Sequence, residues 1–187
     1  DDVSGDVVME EHQTYYNSIG LALMRVSISR FHDDYGGSQT TGALDTDSDL
    51  SLVDQSELEG RPQITAMWYD DLDRLKAVGA YGTYGTSDFD RDNSGFDNPP
   101  SASSSSVIVT SRTYRSDGLM GTQVDGLGRV VTTIYDTAGR TIATIENDVA
   151  SPSQSDQDLV TRYEYDDGLQ THMYVDMDRS GTRNSGD

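Results

Sequence analysis

The sequence predicts an all-β protein built of consecutive antiparallel hairpins, and three observations predict it. Tyr, Val, Ile and Thr recur in short runs where polar and apolar residues alternate. Asp, Asn and Gly separate those runs at positions suited to tight turns. One phrase, a tyrosine followed by a turn and then an alternating strand, comes back along the chain.

The clearest copy is Tyr135-Asp136-Thr137-Ala138-Gly139-Arg140, followed by Thr141-Ile142-Ala143-Thr144-Ile145. Asp suits the first position of a turn and Gly takes the positive φ at its end. Upstream, Val124-Asp125-Gly126-Leu127-Gly128-Arg129-Val130-Val131 repeats it in weaker form. In chain order, Asp1 to Glu11 is acidic and weakly patterned. Tyr16-Asn17-Ser18-Ile19-Gly20-Leu21 imitates the phrase with Asn for Asp, and Met24 to Arg30 alternates as a strand. A helix over Ile19 to Val26 competes with that strand. Residues 31–60 read as an acidic loop insertion. Trp68-Tyr69-Asp70-Asp71-Leu72-Asp73-Arg74-Leu75 returns to the phrase, with Asp73 where other copies carry Gly. Residues 87–106, with Pro99-Pro100 and a serine run, read as a second insertion, an exposed loop or linker. The regular part runs from Val107 to Glu146, and residues 147–158 are a third insertion. Tyr163 to Leu169 repeats the tyrosine-turn phrase, and residues 176–187 form an acidic tail.

Composition bounds function. The chain has 187 residues, a formal net charge of −20 and no cysteine. It can bury a core as one domain or two small ones. No basic face is available for nucleic acid. Thiolate metal sites and cysteine nucleophiles are absent, and no run approaches the roughly 20 apolar residues of a membrane span. Twelve of the 13 basic residues are Arg, and several share one place in the phrase, which assigns them a structural role. The start at Asp1-Asp2, with no signal peptide, predicts a processed product or part of a longer chain.

No catalytic frame stands out. His12, His32 and His172 are far apart, and Ser103 to Ser106 lacks a nucleophile elbow. The expectation is a protein without catalysis. Calcium is the predicted cofactor, since alternate oxygen-bearing residues around a Gly suit a hard cation. Asp176, Asp178, Ser180, Thr182, Asn184 and Asp187 have the spacing of such a loop, Thr182 through its carbonyl. Asp90, Asp92, Ser94, Phe96 (by its carbonyl) and Asn98 form a second candidate. Asp45, Asp47 and Asp49 form a third that lacks the Gly.

Tyr135-Asp136 with Gly139-Arg140, Tyr69-Asp70 with Arg74-Leu75, and Tyr165-Asp166 with Gly168-Leu169 resemble the YD repeats of Rhs and teneurin-type proteins. The resemblance covers about half of the chain. It implies hairpins laid side by side in a sheet or spiral, on extracellular or cell-surface proteins, often as a shell around a toxin. It implies no catalytic residue. The expected function is a structural repeat segment of a surface fibre or shell, ordered by calcium and partnered by copies of itself or neighbouring repeats. A calcium-dependent adhesion or carbohydrate-binding module is the alternative, favoured if Trp68 and the tyrosines face solvent. A toxin-encapsulating shell is the third reading.

Overall fold

The computed structural model describes residues 7–31, 42–45, 48–56, 58–85, 87–177 and 179–183. Among the described residues twelve strands follow in order: β1 (Glu10–Tyr16), β2 (Ala22–Arg30), β3 (Leu52–Val53), β4 (Gly60–Tyr69), β5 (Leu75–Gly82), β6 (Phe89–Asp90), β7 (Ile108–Tyr114), β8 (Met120–Val124), β9 (Val130–Tyr135), β10 (Thr141–Glu146), β11 (Leu159–Asp166) and β12 (Leu169–Val175). A 3-10 turn at Ser94–Phe96 is the one helical element among the described residues. The all-β expectation holds. Residues 22–30 form a strand, not the competing helix, because burial there has period two: Ala22, Met24, Val26 and Ile28 are buried while their neighbours are not.

The chain divides into two compact units, Asp1–Val109 and Thr110–Asp187. In the first, the strand order is β1-β2-β4-β5, every pair antiparallel. Its core gathers Met24, Val26 and Ile28 of β2, Ile64, Ala66 and Trp68 of β4, and Ala77 and Tyr81 of β5. The insertions supply the rest. Leu44, Val53 and Phe89 are fully buried against that sheet face, and β3 pairs with β6 as a short ribbon. Residues 31–60 and 87–106 thus hold more than the solvated loop expected of them. A handful of apolar side chains in a polar segment is enough to pin it, each contributing about 1.5–3 kcal/mol on burial.

In the second unit the order is β7-β8-β9-β10-β11-β12, a meander in sequence order with antiparallel pairing. Most of its strand residues are half-exposed, and Ala143 and Val160 are its buried apolar residues among those described. Such a layer needs polar cross-links to hold neighbouring hairpins in register, since apolar burial is small.

Candidate functional site

The turns that open with Asp70, Asp125 and Asp136 share one arrangement. In Asp136–Arg140 the backbone N–H of Asp136 donates to the Arg140 carbonyl (2.9 Å), and that of Gly139 to the Asp136 carbonyl (3.1 Å). This is a type I turn closed by a left-handed residue, Gly139 at φ 79°. The Asp136 side chain then fills the turn. Its Oδ1 accepts from the N–H groups of Ala138 and Arg140, both at 2.9 Å, and its Oδ2 accepts from Arg140 Nε at 2.7 Å. Asp70 does the same with Leu72 and Arg74, and Asp125 with Leu127 and Arg129. Asn17 keeps the two backbone donors, Ile19 and Leu21, without a charge or a partner Arg. Tyr114-Arg115 inverts the arrangement: Arg115 pairs with Asp117 at 2.9 Å. The last turn is shorter, with Asp167 and Gly168 both at positive φ.

Hydrogen bonds from the backbone and the Arg hold the carboxyls of Asp125 and Asp136 below the usual carboxylate range. For Asp70 the Arg74 side-chain bond is the largest cause of the same downward shift. The repeated Arg residues are therefore structural, each locking its own turn from inside.

The tyrosines tie one hairpin to the previous one. Tyr69 donates its hydroxyl to the Ala22 carbonyl at 3.0 Å, Tyr135 to Met120 at 3.0 Å, and Tyr165 to Thr141 at 2.7 Å. Ala22, Met120 and Thr141 are the residues that pair across their own hairpins with Tyr16, Tyr114 and Tyr135. A reason for the rule lies in the ladders. Pairing of β2 with β4 starts at Met24↔Ala66, of β8 with β9 at Thr122↔Thr132, and of β10 with β11 at Ala143↔Arg162. Each time the acceptor lies two residues beyond the last pair on one strand and the tyrosine three beyond it on the other. The hairpins part there, the carbonyl loses its ladder donor, and the phenol reaches across to satisfy it. Arg side chains add a second link: Arg115 Cζ lies 5.6 Å from the Tyr135 ring centroid and Arg140 Cζ 4.6 Å from that of Tyr165.

The loop after β6 carries a different device. Arg91 is 7% exposed. Its guanidinium donates to the carbonyls of Leu23 (3.2 Å), Phe96 (3.0 Å) and Met67 (3.0 Å), and lies 5.2 Å from the Trp68 ring centroid. Burial pushes the Arg91 guanidinium pKa down from its usual value. Trp68, 3% exposed, donates its indole N–H to the same Phe96 carbonyl at 2.7 Å. Nothing in the spacing of Asp90 to Asn98 announces this role, because the acceptors lie up to 68 residues away.

That geometry bears on the calcium loops. The Phe96 carbonyl has both lone pairs taken, by Arg91 and Trp68. Asp90 Oδ1 accepts from the Asp92 N–H, and both Asp92 oxygens face the Tyr15 hydroxyl. Ser94 lies in the 3-10 turn capped by Asn93, and Asn98 is exposed. In the C-terminal loop, the buried Asp176 takes Arg162 Nε and the Gly181 N–H on Oδ2 and the Ser180 N–H on Oδ1. The Ser180 hydroxyl donates to the Thr182 carbonyl at 2.9 Å. Asp178, Asn184 and Asp187 lie outside the described residues. Asp45 is buried in a bridge to Leu58, and Asp49 Oδ1 accepts from the Ser51 N–H and hydroxyl; Asp47 lies outside the described residues. Among the described residues no three His, Asp or Glu side chains converge on a point that could hold a metal. The described carboxylates of Asp49, Asp90, Asp92 and Asp176 each accept from protein donors.

His12 contacts Glu10 and His172 contacts Glu164, both on exposed strand faces, while His32 lies outside the described residues. No described helix is long and apolar enough to cross a membrane.

The chain matches no family model and no curated protein. Solved structures similar to it include the Photorhabdus luminescens Tc holotoxin pore, at 18% identity and TM-score 0.44, over 94% of this chain and 8% of that one. The TcdB2-TccC3-TEV crystal structure (16%, 0.42) is matched over 88% of this chain and 8% of that one. The TcdB2-TccC3 crystal structure (16%, 0.37) is matched over 86% and 7%. The chain spans less than a tenth of each of those chains. At such identities and scores the likeness adds nothing to the geometry above.

Proposed function

We propose that this chain is a non-catalytic length of YD-repeat scaffold of the Rhs and teneurin type, one stretch of the wall of a shell or fibre. The observation that carries the reading is the tyrosine relay: three hairpins each reach the carbonyl opposite the preceding hairpin's tyrosine. A contact that recurs in one register lets hairpins be added one after another, each satisfying the group its predecessor leaves open. The larger enclosure and an extracellular setting belong to the same proposal.

Exposure of the aromatic residues separates scaffold from binding module. Trp68 is buried with its N–H bonded, and the ladder tyrosines spend their hydroxyls on backbone carbonyls. That supports a wall over a sugar-binding row. In this reading Arg91, Arg162 and backbone donors order the acidic loops.

The fluorescence of Trp68, the single tryptophan, tests the choice. A blue-shifted emission, unmoved by a panel of neutral and acidic oligosaccharides and poorly quenched by acrylamide, is expected. Saturable changes on adding a glycan would overturn the scaffold reading in favour of the binding module.

A further inference from the structure

We propose that the cavity beside β6 is a binding site for a primary alkylammonium, the protonated amine of a small molecule or of a lysine side chain. It lies wholly within the first unit and does not depend on the tyrosine relay. Its volume is about 660 Å³, a size common among small-molecule sites. Tyr81, near the end of β5, and Tyr84, just beyond it, line one side, and Phe96 of the 3-10 turn lines another. The strand alternation around β6 buries Phe89 and turns its neighbours Asp88 and Asp90 to the cavity.

The rings form a corner. Tyr81 and Tyr84 meet edge to face, with centroids 5.7 Å apart and planes at 76°, and Phe96 stands at 79° to Tyr81, also at 5.7 Å. Phe89, fully buried, backs them at 4.9 Å from Tyr81 and 4.5 Å from Phe96. Rings fixed at steep angles enclose a guest on more than one side, and an ammonium seated there meets several π systems.

The polar groups lack donors. Tyr81 is 8% exposed, yet its hydroxyl has no partner among the described residues, and neither has that of Tyr84. Burial pushes the Tyr81 pKa up, so the phenol stays neutral, and its oxygen is an acceptor with no donor. Asp88 and Asp90 are the charged residues that line the cavity. Asp88 Oδ1 accepts from the Gln55 N–H and Asp90 Oδ1 from the Asp92 N–H, while each Oδ2 has no described donor. Arg91, the next residue, turns away to the carbonyls of Leu23, Met67 and Phe96 and leaves both carboxylates without a cation.

These groups ask for positive charge and N–H donors together. A primary ammonium brings both, and its alkyl chain suits the rings. A hard metal ion seeks six to eight oxygens and gains little from aromatic walls. A quaternary ammonium brings charge but no N–H.

Amide chemical-shift mapping of the isotope-labelled full chain with n-butylammonium tests the site, at ionic strength held constant with sodium chloride. Saturable shifts centred on residues 81–85 and 88–98 are expected, with a Kd on the order of 1 mM for so small a ligand. Tetramethylammonium, which lacks N–H, and n-butanol, which lacks charge, are expected to bind more weakly. Tyr81→Phe is expected to weaken butylammonium binding about two- to tenfold while the melting temperature holds or rises, because an unpaired buried hydroxyl does not support the fold. Asp88→Asn combined with Asp90→Asn keeps both Oδ1 acceptors and is expected to weaken binding about tenfold or more. Nα-acetyl-lysine amide separates the sources: shifts equal to those of n-butylammonium support a lysine side chain, and weaker ones a free amine. No saturable shift, equal binding of n-butanol, or unchanged affinity in the doubly substituted chain would each overturn the amine site. Displacement of n-butylammonium by calcium at a lower concentration would also overturn it, in favour of a metal.

Discussion

Tyr165 donates its hydroxyl to the carbonyl of Thr141, the residue that faces Tyr135 across the preceding hairpin. The phenol thus completes a neighbour's backbone, and Arg140 of that neighbour lies over the Tyr165 ring in return. Two hairpins are joined at the end where their ladder has already stopped. With little apolar burial in this unit, links of this kind decide the register.

The turn carboxylates make stability fall in acid. Asp70, Asp125 and Asp136 have folded pKa values below their unfolded ones, so their contribution is complete above about pH 4. It is lost as pH falls from there through the folded values. Thermal melting between pH 6 and pH 2.5 is expected to drop through that window, and Asp136→Asn to show a shallower drop. An Asp136→Asn profile as steep as that of the unaltered chain would contradict the cage.

Asp73 sits at φ 61°, where Gly20, Gly118, Gly128 and Gly139 serve the other turns of this kind. A side chain there is strained, and Asp73→Gly relieves it. The variant is expected to gain about 0.5–1 kcal/mol in denaturant unfolding of the first unit. A loss of stability would mean that the Asp73 side chain holds something the turn needs.

Removing Arg91 takes a donor from the carbonyls of Leu23, Met67 and Phe96, leaving Phe96 only the Trp68 N–H, and uncovers Trp68. Arg91→Ala is expected to cost about 3 kcal/mol or more, with red-shifted tryptophan emission. Arg91→Lys rescues little, because a single ammonium cannot serve three divergent acceptors. Full rescue by Lys would reduce the latch to its charge.

The turns were legible in the residues; their purpose was not. Asp136, Gly139 and Arg140 announce a local turn, and each contact inside it spans four residues or fewer. Tyr69 reaches Ala22 across 47 residues, so its role depends on which strands become neighbours. Asp176 and Asp90 to Phe96 read as calcium ligands because alternation is all that a sequence displays. Arg162, which bonds Asp176, comes from another strand, and Arg91, which bonds the Phe96 carbonyl, from between the candidate ligands. Phe89, Val53 and Leu44 were the missed sign that the acidic insertions carry core.

Calcium is the cofactor that the sequence predicts, and Asp176 is where its binding can be tested. Asp176 has both oxygens engaged by Arg162 and two backbone N–H groups. The melting temperature is therefore expected to be the same in calcium and in EGTA. A rise on adding calcium, abolished in Asp176→Asn, would show that the ion displaces Arg162.

The relay itself is measured most directly by unfolding free energies of Tyr69→Phe, Tyr135→Phe and Tyr165→Phe beside Tyr163→Phe, whose hydroxyl has no described partner. Each ladder variant is expected to lose about 1 kcal/mol, and Tyr163→Phe close to none. Four variants with equal and negligible losses would contradict the link between hairpins on which the scaffold rests.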